Sequence, residues 1–385
     1  MQLALSAEDA EFRDEMREFF TTKIPQEIRD AVRDRRELTR EQIVESMQVM
    51  NAHGLAVPNW PTEWGGQDWS PLRRHIWHEE MQRAYVPVPL AFNASMIGPV
   101  IAQFGSQEMK EKFLPPTANL DIWWSQGFSE PDAGSDLASL KTRAVRDGDE
   151  YVVNGQKTWT TLGQYGDWIF TLVRTNPEVK KQAGISMLLI DMRSEGVEVR
   201  PIELIDGGHE VNEVWFTDVR VPAENLVGEE DRAWDYAKFL LGNERVGVAP
   251  VGATKRVLAQ AKEWAGPLLE DDPLLAARIV ELENELLALE LTALRVVAHS
   301  ADGKPHPASS VLKLKGTELQ QAVTELVVDV AGPASLASGA GDDQSDLPWW
   351  TRRSTPVYLN FRKASIYGGS NEVQRQIIAR TILGL

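Results

Sequence analysis

Residues 145–161, VRDGDEYVVNGQKTWTT, decide how the 385-residue chain divides. Two pairs inside them, Asp147-Gly148 and Asn154-Gly155, readily supply the positive φ that tight hairpin turns need. Apolar runs of strand length follow at 168–173, 185–190, 197–202 and 211–216, each bounded by turn residues. Together these signals predict an antiparallel β domain of about seven or eight strands over 121–228.

The flanks read as helix. In 1–120, Ser6 before Asp9 resembles an N-cap, and Phe12, Met16 and Phe19 form one helical stripe. Thr39 opens a further segment with Ile43, Met47 and Met50 on one face. Helical patterning resumes over 71–84 and 91–104, and again over 107–114, where Pro115-Pro116 is expected to stop it. In 229–385, Leu275, Ile279, Leu282, Leu286, Leu289, Ala293 and Val296 step by four and three, the seam of a helical bundle. Residues 338–350 read as a loop, and 362–383 as a final helical segment interrupted at Gly368-Gly369. The fold class expected is α+β, mostly α: an N-terminal helical domain, a middle β domain and a C-terminal four-helix bundle.

Composition narrows the chemistry. There is no cysteine, which removes disulfides, thiolate nucleophiles and cysteine-ligated metals. Fifty-seven acidic against 40 basic residues give a net charge of −17, which disfavours bulk nucleic-acid binding. No apolar run approaches the length of a membrane span, and the N-terminus turns acidic at once, unlike a signal peptide. A cytoplasmic protein with no membrane contact is expected. The six histidines show no metal-site spacing, and no metal is expected. GxSxG, GxxxxGK[ST] and GxGxxG motifs are absent. Thirteen tryptophans exceed what a core requires.

Three clusters remain. Residues 126–136, QGFSEPDAGSD, bring small residues and hydroxyls that let backbone N–H groups approach an oxyanion. Residues 154–161, NGQKTWTT, place Trp159 and Thr161 on one strand face, an aromatic ring beside a hydroxyl. Residues 366–375, IYGGSNEVQR, form a glycine turn entering a helix, whose N-terminus suits an anion or a carbonyl. Taken singly, each reads as an ordinary turn.

In order and spacing, SEPDAGSD, NGQKTWTT and YGGSNEVQR resemble the acyl-CoA dehydrogenase family across essentially the whole chain. Within it the chain is most similar to large subunits of pimeloyl-CoA dehydrogenase, then to steroid side-chain acyl-CoA dehydrogenase subunits. The resemblance implies FAD as cofactor, α,β-dehydrogenation of an acyl-CoA thioester and an electron-transferring flavoprotein as acceptor. It places Phe128, Ser129, Trp159 and Thr161 around the flavin ring, and Gly134 and Ser135 near the pyrophosphate or CoA. Most members carry the catalytic base immediately after the tyrosine of the C-terminal motif, where this chain has Gly368. Others carry a glutamate just before an arginine on a helix, which here is Glu244-Arg245.

Glu244 is therefore the expected base, with Glu372 the alternative. Arg245 and the Gly368 N–H are expected on the substrate side, and the bare Gly368 leaves space for a dicarboxylyl or bulky acyl chain. Homotetrameric members lend a neighbour's FAD an Arg-Phe pair and a Gln. The corresponding stretches here, 262–267 and 328–333, show neither. That departure implies a non-identical small partner subunit, or alternatively that this chain is itself the non-catalytic half of a heteromer.

Overall fold

The computed structural model describes residues 5–244, 250–298, 308–337 and 346–385, without the side chains of 241–244 and 297–298. It opens with α1 (Ala7–Thr22), whose first turn is closed by the Ser6 hydroxyl accepting from the Asp9 amide. Phe12, Met16 and Phe20 point into the core. After α2 (Gln26–Arg33), α3 (Arg40–Asn51) starts on a full capping box between Thr39 and Gln42, and buries Met47 and Met50. Then come α4 (Pro71–Arg83), a π-helical turn (Phe92–Ile97), α5 (Gly98–Phe104) and α6 (Gln107–Ala118). Pro115 and Pro116 lie inside α6 and do not stop it. The prolines forgo their own N–H bonds, and the helix ends two residues later at Ala118, where the Asn119 and Asp121 amides close on the Pro115 and Pro116 carbonyls.

The middle region is one seven-stranded sheet in the order β1-β4-β2-β3-β7-β6, with β5 also paired to β4. The strands are β1 (Trp124–Gly127), β2 (Arg143–Asp147), β3 (Glu150–Thr161), β4 (Trp168–Arg174), β5 (Ile185–Asp191), β6 (Val197–Ile202) and β7 (Val211–Pro222). It is not wholly antiparallel: β1 runs parallel to β4, and β2 meets the end of β4 in the same sense. Asp147-Gly148 joins β2 to β3 as expected, with Gly148 at φ +64°. Asn154-Gly155 makes no hairpin. It sits inside β3, where the register against β7 shifts between Val153 and Gly155. A Cβ on Gly155 would lie 2.6 Å from the Thr142 Cα, so glycine is needed there for a bulge under a close neighbouring strand.

The continuous apolar runs of β4 and β5 follow from burial on both faces. Phe170, Leu172, Met187 and Leu189 join the core shared with the N-terminal helices, whereas Ile169, Val173, Leu188 and Ile190 join a second core across the sheet. Trp123 and Trp124 are fully buried in the first core, which accounts for two of the tryptophans.

The chain returns to helix with α7 (Ala233–Glu244), α8 (Val251–Ala265), α9 (Leu268–Asp271), α10 (Pro273–Ala298), α11 (Ser309–Ala331), α12 (Trp349–Asn360) and α13 (Asn371–Ile378). The expected seam of α10 packs as read: Ile279, Leu282, Leu286, Leu289 and Val296 are buried against α8 and α11. Residues 338–345 of the expected loop lie outside the described residues. Trp349 and Trp350 are helical rather than loop, because the Trp264 ring gives them a surface to pack on; Trp264 and Trp350 stack at 4.6 Å. The middle and C-terminal regions are tied by an ion pair between Lys363 and Glu210, and by Asn360 donating to Asp206 at 2.6 Å. Among the described residues no helix is long and apolar enough to cross a membrane.

Candidate active site

The first two sequence clusters meet in one corner of the sheet. The Thr158 amide donates to the Ser129 carbonyl at 2.9 Å. Next to it the Lys157 ammonium donates to the Phe128 carbonyl at 3.2 Å and to the Glu130 carboxylate at 2.8 Å. That carboxylate also accepts from the Lys141 and Thr142 amides at 2.6 and 2.9 Å. Lys157 is fully buried and Glu130 nearly so. Burial pushes the Lys157 ammonium down to about 8, with Glu130 opposing the shift. Burial would also raise the Glu130 carboxyl, but Lys157 and the hydrogen bonds outweigh it and hold it below its ordinary value. The pair clamps the turn carrying Phe128 and Ser129 to the strand carrying Trp159 and Thr161. Sequence reasoning quoted both residues without giving either a role. A lysine at an inward strand position is the one local signal that a buried partner was required.

Around this clamp the expected ligand-facing groups differ in character. Trp159 is 58% exposed and sits at φ +61°, where the β3–β7 register shifts again between Lys157 and Thr160. The bulge turns its ring outward beside half-buried Thr161, while Thr160 between them is buried. The Ser129 and Thr161 hydroxyls form no hydrogen bond among the described residues, so both are free to meet a ligand. Phe128 is placed otherwise. Its ring is buried edge-on against Phe170, 5.7 Å between centroids, and only its backbone faces the corner. Gly134 and Ser135 lie on the exposed rim of the same turn, and nothing lies within 4 Å of where a Gly134 Cβ would be.

The third cluster reaches the corner indirectly. The Leu162 amide, one residue past Thr161, donates to the Glu210 carbonyl at 2.6 Å, and the Glu210 side chain pairs with Lys363. Five residues on, Gly368 and Gly369 turn at φ +63° and +86°, their carbonyls bridged by the Gln374 side-chain amide at 3.5 and 3.3 Å. Ser370 then caps α13. Glu372 is exposed, paired with Arg375 at 3.7 Å, and hydrogen bonding at the helix start holds its carboxyl below the ordinary value. That is the opposite of the environment that makes a carboxylate basic. Glu244 is the last residue of α7; its side chain, and all of Arg245, lie outside the described residues.

A second polar group, between α4 and α10, was not expected. His75, Glu79 and Glu290 bring ligand-type atoms within 4.8 Å of one another. Lys255 already holds Glu290 at 2.8 Å and Arg83 holds Glu79 at 3.5 Å, so the carboxylates are engaged in an ion-pair network. Beside it His78 is half-buried against the Gln82 amide, and desolvation pushes its imidazole down to about 4. The spacing of His75 and Glu79 puts both on one helix face, but Glu290 comes from a distant helix that sequence does not pair with them.

The corner fits a flat cofactor with polar edges: one outward indole, two uncommitted hydroxyls, an open glycine rim and a rigid backing. FAD satisfies that description; Ser129 and Thr161 could meet its ring edge and the 134–135 backbone its phosphates.

Comparison with known proteins agrees across the chain. Residues 6–121, 125–219 and 231–383 match the N-terminal, middle and C-terminal domains of acyl-CoA dehydrogenases respectively. The acyl-CoA dehydrogenase IpdE1 of Mycobacterium tuberculosis is 38% identical over 343 residues, 88% of this chain and 86% of that protein. FadE26 of the same organism is 34% identical, covering 100% of this chain and 99% of its own length. Among solved structures, the ChsE4-ChsE5 complex from Mycobacterium tuberculosis superposes with a TM-score of 0.85 at 35% identity, covering 100% of this chain and 99% of that one. The Tcur3481-Tcur3483 steroid ACAD gives 0.87 at 29% identity, with the same coverage.

Proposed function

The chain belongs to the acyl-CoA dehydrogenase family, and we propose that it desaturates a bulky, ring-bearing acyl-CoA, with Glu244 as the base, as one subunit of a heteromer. As a member it is an FAD-dependent oxidoreductase. Bound FAD supplies the acceptor for the β-hydride. The chain's own contribution is to hold the ring between Trp159 and the 128–129 backbone, and to aim Ser129 and Thr161 at the edge where negative charge develops.

One observation carries the choice of base. The turn where most members place their glutamate holds Gly368, and the nearest acid, Glu372, is solvated and bonded to Arg375. The resemblance then points to Glu244, at the end of α7, a helix packed against β5 and the π-helical turn at Phe92–Ile97. It takes the α-proton, while the Gly368 N–H stabilises the thioester oxygen as charge gathers there. The bare glycine leaves room for an acyl group wider than a linear chain. A steroid ACAD among the similar structures supports the bulky class over a medium-chain dicarboxylyl-CoA such as pimeloyl-CoA. The ChsE4-ChsE5 complex supports a non-identical partner, as does the absence of an Arg-Phe pair in 262–267. An electron-transferring flavoprotein is the proposed acceptor.

The test is flavin bleaching by a panel of acyl-CoA thioesters, on the chain alone and co-purified with its candidate small subunit. Bleaching by ring-bearing thioesters in the complex is expected, with incomplete flavin in the lone chain. Full flavin and activity without a partner would remove the heteromer. No bleaching by any thioester, with flavin bound, would make the chain the non-catalytic half.

A further inference from the structure

One face of α8 docks the bundle onto the N-terminal helices through Gly252, Arg256, Gln260 and Trp264, spaced by single helical turns. Each of the four meets a residue on the N-terminal side, and Trp264 also stacks on Trp350 within the bundle. Gln82 packs against Gly252, so closely that a Cβ there would lie 2.0 Å from the Gln82 Oε1. Arg256 donates to the Gln82 carbonyl at 2.7 Å and lies over the Tyr85 ring at 5.1 Å. Gln260 donates to the Arg33 carbonyl at 3.2 Å, and Trp264 lies under the Arg35 guanidinium at 5.2 Å.

The seam contains two guanidinium groups and no carboxylate for either. Neither Arg35 nor Arg256 forms an ion pair among the described residues, although the chain carries 57 acidic side chains. The Arg35 Nη2 is shut off from solvent and has no hydrogen-bond partner. The acids on its own turn are spoken for: Asp30 and Asp34 pair with Arg33 at 2.8 and 2.9 Å, and Arg36 approaches Asp34 from the other side at 3.9 Å. Arg353 adds another cation and spends one N–H on the Arg35 carbonyl at 2.6 Å. Burial, with the charge of Arg256 adding to it, pushes the Arg35 guanidinium down to about 10. Burial also lowers Arg256.

The two side chains are half-buried, but a cationic N–H shut off from solvent with neither a hydrogen-bond partner nor a counter-charge is costly to a fold. Here the backbone is also held unfavourably, since Arg35 sits at φ +53°. The aromatic rings explain part of the arrangement. Trp264 and Tyr85 take the guanidinium faces, which leaves as free edges the in-plane N–H groups of Arg35 and those of Arg256 not given to the Gln82 carbonyl. Those edges are the geometry that receives a planar or tetrahedral oxyanion.

We propose that Arg35 and Arg256 form a binding site for a small oxyanion, a phosphate or a carboxylate, in the seam between the N-terminal helices and α8. The anion supplies the missing counter-charge and fills the unused N–H of Arg35. It thereby fastens α8, which follows the helix bearing Glu244, to the N-terminal helices. The site lies outside the 128–161 corner, so occupancy is separable from flavin binding.

The test is calorimetric titration of the flavin-loaded protein with inorganic phosphate, at ionic strength fixed by chloride. Saturable binding is expected, weakened about tenfold or more by Arg256→Gln. Displacement of the phosphate by acetate identifies a carboxylate site, whereas phosphate binding indifferent to acetate identifies a phosphate site. No saturable binding to the wild type overturns the proposal, and so does equal binding to Arg256→Gln. Should Arg256→Gln not fold, Arg35→Lys carries the same comparison. It keeps the charge and removes the planar fork, and unchanged affinity there sinks the site. Flavin bleaching by acyl-CoA, measured on the same variants, separates this outcome from failure of the dehydrogenase reading.

Discussion

The two sides of the cofactor corner are held by different means. On the sheet side, a buried Lys157–Glu130 pair with both groups hydrogen-bonded fixes the 128–130 turn to β3. On the helix side, the Gln374 amide bridges the Gly368-Gly369 turn at 3.3 to 3.5 Å, and α4 meets α8 through the Arg256 guanidinium on the Gln82 carbonyl, with no ion pair between the two helices among the described residues. A fully satisfied buried ion pair gives one geometry, because any displacement exposes a charge to an apolar surrounding. A glycine turn on a side-chain amide tolerates several. On the proposed reading, recognition of the invariant cofactor falls to the sheet side and that of the variable acyl group to the helix side.

The sharpest way to break this division is the proposed base. Glu244→Gln should lower turnover by about 10⁴-fold, the upper range for one acid–base group, while flavin content and the visible spectrum stay unchanged. Exchange of the α-proton with solvent is the direct measurement. Exchange that survives would place the base elsewhere and remove the helix side from the chemistry.

Lys157→Met addresses the sheet side. It leaves the Glu130 carboxylate buried without its ammonium, at a cost of about 3–5 kcal/mol. Denaturant titration should show that loss, together with loss of flavin. The control is Lys141→Met, which breaks an exposed pair with Asp132 and should change stability by under about 1 kcal/mol. Equal effects in the two variants would mean that burial of the pair is irrelevant.

Acid should separate the two sides. An unfolded imidazole titrates near its ordinary value, whereas burial, with His75 adding to it, holds folded His78 at about 4. Between those values the unfolded chain binds the extra proton, so stability is complete above pH 6.5 and falls as the pH drops toward 4. The loss is about 3 kcal/mol. Glu130 has a depressed carboxyl, so its contribution persists until lower pH and is lost only as its folded value is passed. Hydrogen exchange at pH 7 and pH 5 should therefore show α4 and α8 loosening before β3. His78→Gln should flatten the slope.

What the sequence revealed follows the same divide between local and distant causes. The α10 seam was legible because one helix face repeats over seven apolar positions, a pattern that needs no knowledge of its partners. Ser6, Thr39 and Asp147-Gly148 were legible because caps and tight turns act within four residues. Asn154-Gly155 misled because the same positive-φ chemistry serves a bulge, and what selects the bulge is the approach of Thr142 from another strand. Lys157 and Glu130 are 27 positions apart, too far for any local pattern to join them. Phe128 lies in the cofactor motif but turns its ring into the core, a choice made by Phe170 across the sheet. The Arg35–Trp264 contact and the His75–Glu290 group likewise exist only once helices from opposite ends of the chain pack.

The smallest expected effect is also the most specific. Gly368→Ala adds a methyl group at φ +63°, where an L side chain costs about 1 kcal/mol or slightly more. The Gln374 bridge holds carbonyls rather than the α-carbon, and Ser370 still caps α13, so the turn should persist. The backbone N–H is retained, so stabilisation of the thioester oxygen should survive, and kcat with a compact acyl-CoA should fall by less than about tenfold. A ring-bearing acyl-CoA should suffer more, chiefly in KM, because the methyl group takes space the wide acyl group uses. Measuring kcat and KM for one compact and one ring-bearing substrate distinguishes the causes. An equal loss of kcat for both would indicate backbone strain alone, and would place the acyl group away from the glycine turn. A rise in KM confined to the ring-bearing substrate would locate substrate choice on the helix side, where the turn carries no side chain to oppose it.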